Sequence, residues 1–109
     1  MIKPSKIKFI SPKLEKEFNS LEYNDPIKKA LLRAIKNIQE NAYSGIQVSK
    51  RLIPEVYVKK YGVNNLWKYN LSGEWRLIYT LTAENEIELI SAILEWFDSH
   101  KSYEGRFNY

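Results

Sequence analysis

The sequence predicts an α+β fold, with an N-terminal strand and a two-helix hairpin packed on one face of a small antiparallel sheet. Three observations support this prediction. A short β-rich segment lies at residues 7–11, two amphipathic helical patterns follow before residue 45, and three strand-like segments joined by short turns lie between residues 66 and 97. With 109 residues, 44% of them hydrophobic and 28% charged, the chain is expected to form one globular domain, residues 1–109.

Both helices are predicted from their caps and apolar stripes. Ser11 before Pro12, and Asp25 before Pro26, each place an N-cap residue ahead of a proline at the first helical position. The apolar positions of the first helix are Leu14, Phe18 and Leu21, and those of the second are Ile27, Leu31, Ala34, Ile35, Ile38 and Ala42. Because only a short break separates the two patterns, we expect an antiparallel helical hairpin.

The second half of the chain predicts a β-meander. Residues 46–65 show no clear period and are expected to be irregular, and strand candidates follow at 66–71, 75–82 and 86–97. Their short connections favour antiparallel hairpins. The last segment is apolar at nearly every position, which predicts a central strand covered on both faces. The segment at 7–11 either joins an edge or pairs with the central strand, and the sequence leaves both open.

The register of the first hairpin decides the surroundings of Arg76. A two-residue loop would pair Tyr69 with Arg76, whereas a three-residue loop pairs Asn70 with Arg76. The second register gathers Trp67, Tyr69, Leu71, Trp75, Leu77 and Tyr79 on one face, and Lys68, Asn70, Arg76 and Thr80 on the other. We prefer it for this segregation, although such loops usually place a left-handed residue last, here Glu74. The polar face is expected to lie open opposite the helices, either as a site or as a solvated surface.

The charge distribution narrows the possible partners. The net charge is +4, and residues 50–76 contain six basic and two acidic side chains, whereas residues 84–98 contain five acidic and none basic. A basic central segment favours a polyanionic partner, with ordinary surface decoration as the alternative. With no cysteine, one histidine and scattered carboxylates, we expect no metal or other cofactor. Apolar runs are too short for a membrane helix and no signal peptide is visible, so a cytoplasmic location without membrane partners is expected.

The words "WKYNLSGEWRLIY" and "HKSYEGRF" resemble the RelE/ParE superfamily of toxins from toxin-antitoxin systems. The resemblance covers most of the chain: a leading strand, a helical hairpin, an irregular basic segment, a meander and a short tail. It implies a small basic toxin held in check by a cognate antitoxin protein. Many members are endoribonucleases that cut mRNA, often on the ribosome, and so inhibit translation.

The resemblance also implies site residues. Arg76 matches the arginine of the family's aromatic-Arg-Leu strand, and Lys68 matches a lysine on the preceding strand. His100 matches a tail histidine of several branches, and Tyr103 or Phe107 matches the tail aromatic. The chain departs from the pattern at Asn70, where other members carry a second lysine, and its tail has only Lys101 and Arg106 as basic residues.

These residue types suit metal-free RNA cleavage, which needs a base, an acid and cations at the phosphate. Arg76 can grip two phosphate oxygens, Lys68 adds a point charge, and His100 can exchange protons near neutral pH. Tyr103 can stack on a base or bind a phosphate. The further residues predicted to contact RNA are Lys59, Lys60, Asn70, Lys101, Arg106 and Phe107.

Two other functions remain open from the sequence. One is a toxin of the same fold that inhibits DNA gyrase instead of cutting RNA. The other is a nucleic-acid-binding or protein-binding module without catalysis. It is favoured by Asn70, which stands where other family members carry a second lysine.

Overall fold

The structure is a computed structural model, and it describes residues 2–83, 85 and 88–98. Within these ranges the helices are α1 (Pro12–Ser20), α2 (Pro26–Glu40) and α3 (Glu55–Tyr61), with 3-10 turns at Ala42–Ser44 and Lys50–Leu52. The strands are β1 (Lys6–Phe9), β2 (Ile46–Gln47), β3 (Trp67–Asn70), β4 (Trp75–Ala83) and β5 (Leu89–Asp98). The α+β class is therefore confirmed. None of the described helices is long and apolar enough to cross a membrane.

The strands form one sheet in the order β1-β5-β4-β3-β2. The prediction of an antiparallel sheet is wrong at one edge, because β1 runs parallel to β5. The meander β3-β4-β5 is antiparallel, as expected. β5 lies between β1 and β4, and its Ile93 and Leu94 are buried in different clusters on the two faces of the sheet. The prediction that this strand is covered on both faces is thus confirmed, whereas the middle position of the five strands is occupied by β4.

Local side-chain contacts start and join the first two helices. The Ser11 side chain accepts a hydrogen bond from the Leu14 amide (3.2 Å), and the Asp25 carboxylate accepts one from the Ile27 amide (2.8 Å), so both predicted caps form. Lys28 is buried, and its Nζ donates to the carbonyl oxygen of Phe18 at 2.7 Å. The end of α1 is thereby fixed to the first turn of α2.

The first face of the sheet, which we define as the face that carries α1 and α2, holds the larger core. Its buried residues are Phe18, Ala30, Leu31, Ala34, Ile38, Trp67, Leu71, Leu77, Tyr79 and Ile93. Side chains from alternate positions of β3 and β4 enter this core, which is the apolar set that the three-residue loop predicted.

The register of the β3-β4 hairpin agrees with the preferred alternative. Asn70 pairs with Arg76, and the Leu71 amide donates to the Trp75 carbonyl at 2.9 Å. The left-handed residue of the turn is Gly73, with φ of 65°, and not Glu74. Gly73 occupies the first central position of the turn from Ser72 to Trp75, where a type II′ turn requires a positive φ. Gly73 therefore supplies the positive φ that the turn needs, and the three-residue loop forms without a left-handed Glu74.

The second face, which we define as the opposite face, is covered at its centre by α3. Its buried cluster consists of Val48, Tyr57, Leu66, Ile78, Leu94 and Phe97. The expectations of an irregular segment at 46–65 and of an open polar face are wrong here. Tyr57 and Tyr61, spaced i, i+4, place the apolar side of α3 on the sheet, and Gly62 ends the helix with φ of 66°.

Candidate functional site

Three predicted site residues lie together on the second face, at the hairpin end of the sheet. Arg76 on β4 stands between Asn70 of β3 and Phe97 of β5, and Lys68 is the cross-strand partner of Ile78. Because side chains alternate along a strand, Lys68, Asn70 and Arg76 project from the same face. Lys68 and Arg76 are half-buried and Asn70 is exposed, so all three remain within reach of solvent. Their common face, predicted from the hairpin register, is confirmed.

The surroundings of Arg76 differ from those of its two neighbours along the strand. Its neighbours Trp75 and Leu77 point to the first face, where both contact the main core. The guanidinium itself donates from Nη1 to the carbonyl oxygen of Trp75 at 3.1 Å. A guanidinium has five N–H donors, so this single bond leaves most of the planar fork available to a ligand.

The structure adds a carboxylate, Glu95, that the sequence prediction did not single out. The β4-β5 pairing shifts between Ile78, which pairs with Glu95, and Tyr79, which pairs with Ile93. Leu94 is therefore the extra residue of a β-bulge. Strict alternation from Ile93 would turn Glu95 to the first face, but the bulge places it on the second face with Lys68 and Arg76.

A hydrogen bond from Tyr57 orients the Glu95 carboxylate. The Tyr57 hydroxyl, on the buried side of α3, donates a hydrogen bond to Oε2 of Glu95. Lys68 and Glu95 lie on the two strands that flank Ile78, so their backbones are separated by two strand spacings, roughly 10 Å. Side chains of this length can converge on one phosphodiester group between them.

Glu95 also lines a cleft between α3, β5 and the start of α1. The cleft has a volume of about 470 Å³, and its charged residues are Lys13, Glu17, Lys60 and Glu95. Lys60 lies with its Nζ 5.3 Å from the centroid of the Tyr61 ring, a cation–π arrangement at the cleft wall. The predicted RNA-contacting residue Lys60 is thus close to the Glu95 cleft.

Lys59 is placed differently from its neighbour. Its Nζ lies 3.2 Å from Oε1 of Glu55, one turn earlier on α3, and both side chains are largely exposed. Such a pair contributes little to stability and partly neutralises the lysine. Lys59 is therefore paired within its own helix, and it is not among the residues that line the Glu95 cleft.

The remaining predicted site residues are His100, Lys101, Tyr103, Arg106 and Phe107. All five lie outside the described residues. Their roles as proton donor, stacking platform and phosphate contacts remain predictions from the sequence.

Tyr79 has a perturbed pKa, and its hydroxyl serves the fold. Burial on the first face raises the pKa of Tyr79 to about 12. Its hydroxyl donates to the Ala42 carbonyl at 2.8 Å and accepts from the Gly45 amide at 2.9 Å. These bonds attach the segment before β2 to the sheet. Among the described residues, no group of three or more His, Cys, Asp or Glu side chains could hold a metal ion.

No protein-family model matches the chain, and neither a search of curated proteins nor a search of solved structures found a match. The resemblance to the RelE/ParE superfamily thus remains a prediction from the sequence words quoted above.

Proposed function

We propose that this chain is a toxin of the RelE/ParE type that cuts mRNA on the ribosome without a metal ion and so inhibits translation. A cognate antitoxin protein would hold it in check, and a RelE-like fold would follow from the same relationship. The observation that carries the proposal is the placement of Arg76, Lys68 and Glu95 on one sheet face. Two cations and a carboxylate on adjacent strands would supply the phosphate-binding charges and the base of phosphodiester cleavage, and His100 would supply the acid.

In the proposed reaction, the 2′-hydroxyl of the RNA attacks the neighbouring phosphorus. The Glu95 carboxylate accepts the hydroxyl proton, while Tyr57 keeps the carboxylate in place. The bond from phosphorus to the 5′-oxygen breaks, which leaves a 2′,3′-cyclic phosphate, and His100 gives a proton to the departing oxygen. Arg76 binds two phosphate oxygens and Lys68 adds charge as the negative charge on the phosphate grows.

Surface residues around this centre would guide the strand. Asn70 is exposed beside Arg76, and Lys60 lies at the Glu95 cleft. Lys59 adds to the positive field, and Lys101 and Arg106 would add further phosphate contacts. Tyr103 and Phe107 would stack on bases.

The test is cleavage of a defined mRNA by the purified full-length protein, free and bound to ribosomes, followed by identification of the new RNA ends. EDTA is added only to the free mRNA, because ribosomes need Mg²⁺ to stay assembled. We expect new 5′-hydroxyl ends and 2′,3′-cyclic phosphates on ribosome-bound mRNA, and cleavage of free mRNA should continue at the same rate when EDTA is present. Intact RNA in both forms, new ends of another kind, or cleavage of free mRNA abolished by EDTA would contradict the proposed function.

A second candidate is a nucleic-acid-binding module without catalysis. It is favoured by one observation: α3 covers the centre of the second face, which limits how deeply a strand can enter. In this case the protein would retain RNA in a gel-shift experiment and leave it uncut. Inhibition of DNA supercoiling by gyrase, in the absence of RNA cleavage, would instead identify a gyrase-directed toxin.

A further inference from the structure

A separate cavity lies at the other end of the second face, away from the hairpin. It is a partly open pocket with a volume of about 330 Å³, bordered by the end of α3 and by β1, β5 and β4. Residues that line it include Lys8, Tyr61, Asn64, Thr80, Thr82 and Ala92. A volume of this size lies at the lower end of the range for small-ligand pockets, which suits a single flat heterocycle.

The walls of this cavity combine an aromatic ring with small apolar groups. Tyr61 forms one wall, and its ring is stacked on Tyr57 with centroids 6.3 Å apart and planes at 23°. Ala92 and Ile90 on β5 provide an apolar strand surface. The stacked tyrosine pair makes the aromatic wall rigid, because Tyr57 is almost fully buried.

The polar groups of the cavity are rich in donors. Asn65 donates through Nδ2 to Oδ1 of Asn64 at 2.9 Å, which orients the Asn64 amide and leaves its own N–H groups for a ligand. Between described residues, no hydrogen bond engages the Thr82 hydroxyl or the Lys8 ammonium, and both line the cavity. Amide, hydroxyl and ammonium donors match the carbonyl oxygens and ring nitrogens of a nucleobase and the charge of a phosphate.

The cavity adjoins the cleft that contains Glu95. Tyr61 and Ile10 line both spaces, so they form the partition between them. A base held on one side of Tyr61 would therefore place its sugar and phosphate toward Glu95 and Lys60 on the other side. Aromatic side chains beside a positively charged groove are the usual means of binding single-stranded nucleic acid.

We propose that this cavity, at the end of α3, binds one nucleobase of the RNA and sets which nucleotide lies beside Glu95. The inference rests on the proposed ribonuclease function. It assigns recognition of the base to Tyr61, Asn64 and Thr82, with Lys8 as a further donor in the cavity. It separates recognition from the groups that act on the phosphodiester.

The test is a titration of the isotope-labelled full-length protein with the four ribonucleoside monophosphates and with ribose 5-phosphate, followed by amide NMR shifts. We expect at least one mononucleotide to shift the amides of Asn64, Thr82 and Ala92, with ribose 5-phosphate shifting them much less. Thr82→Phe fills the cavity from an exposed strand position and should weaken nucleotide binding roughly tenfold or more. Ala83→Phe adds the same ring at the next exposed position of β4, which faces the other side of the sheet, so it should bind nucleotide as the wild type does.

Absence of shifts at these amides with every mononucleotide would overturn the assignment, as would equal shifts with ribose 5-phosphate. The wild-type titration does not depend on whether Thr82→Phe folds. If the protein cuts RNA but no mononucleotide perturbs the cavity, base recognition at this place is wrong and the ribonuclease proposal stands. If mononucleotides bind in the cavity and RNA is never cut, the ribonuclease proposal fails and the binding site stands.

Discussion

Arg76 lies between buried side chains because the two faces of its strand have different surroundings. Trp75 and Leu77 complete the helix-covered core, while Arg76 projects to the second face between Asn70 and Phe97. Alternation along the strand was enough to predict this orientation, since the hairpin turn fixes the register locally. The same rule failed for Glu95, because the bulge at Leu94 reverses the alternation.

The role of Glu95 can be tested with a neutral side chain of the same shape. Glu95→Gln can still accept the Tyr57 hydrogen bond, but it cannot take up the 2′-hydroxyl proton. We expect the cleavage rate to fall about 10²–10⁴-fold, the range of general-base catalysis. Glu17→Gln, at the same cleft, is the matched control and should cleave normally. Cleavage by Glu95→Gln at the wild-type rate would remove this carboxylate from the mechanism.

Position 45 requires glycine because the backbone there lies very close to β3. A Cβ atom at this position would lie 2.7 Å from the Lys68 carbonyl oxygen and 2.7 Å from the Tyr79 hydroxyl. Gly45→Ala should therefore displace the β2 segment and lower the free energy of unfolding by about 1–3 kcal/mol. Denaturant unfolding measures this loss. Gln47→Ala, at an exposed position of β2, should change it by less than about 0.5 kcal/mol, and equal stability of the two variants would contradict the contact.

At the scale of elements, α3 links the fold to the site. Its seven residues, "EVYVKKY", include two β-branched valines, so local preference gave no clear helical signal. Burial of Tyr57 in one cluster with Ile78, Leu94 and Phe97 decides the conformation instead. The parallel pairing of β1 with β5 likewise depends on residues more than 80 positions apart, which a local pattern does not encode. The helix caps and the hairpin turn were predictable because their partners are a few residues away.

Tyr57 is a positioning residue in this account, and its hydroxyl is the part to remove. Tyr57→Phe retains the ring in the second-face cluster and removes the hydroxyl that donates to Glu95. We expect kcat for RNA cleavage to fall while KM changes little, because the base is misplaced and RNA binding is not. The stability loss should be about 1 kcal/mol. An unchanged kcat would show that the hydrogen bond serves the fold alone.

The junction of α1 and α2 depends on a buried cation. Lys28 Nζ lies 3.9 Å from the centroid of the Phe18 ring and donates to the Phe18 carbonyl. Lys28→Met keeps most of the side-chain volume but removes the charged donor to this carbonyl, which retains only the Leu21 amide at 3.2 Å, so the free energy of unfolding should fall by about 1–3 kcal/mol. Lys29→Met, on the exposed side of α2, is the control. Thermal unfolding of the two variants at equal transition temperatures would contradict the role of Lys28.

At the scale of the whole molecule, one sheet carries a structural core on its first face and the candidate site on its second. Tyr79 ties the segment before β2 to this sheet, and its raised pKa makes stability depend on alkaline pH. The folded protein holds the Tyr79 proton up to about pH 12, whereas the unfolded chain releases it near pH 10. The unfolded state thus binds fewer protons between these values, and stability should fall as pH rises through this window.

The loss of stability at alkaline pH is measured by denaturant unfolding at a series of pH values from 9 upward. Tyr79→Phe lacks the titrating hydroxyl, so its stability should decline less steeply above about pH 10. At neutral pH the variant should be less stable than the wild type, because the Ala42 carbonyl and the Gly45 amide lose their partner. Parallel declines of the two proteins would assign the alkaline effect to other groups.

The central claim is that the Arg76 guanidinium stabilises the phosphate during RNA cleavage. The most direct measurement is the single-turnover rate on ribosome-bound mRNA for the wild type, Arg76→Ala and Arg33→Ala, a control at an exposed position of α2. The account predicts a fall of about 10²–10³-fold for Arg76→Ala and no change for Arg33→Ala, with equal thermal stability of the two variants. Cleavage by a folded Arg76→Ala protein at the wild-type rate would contradict it.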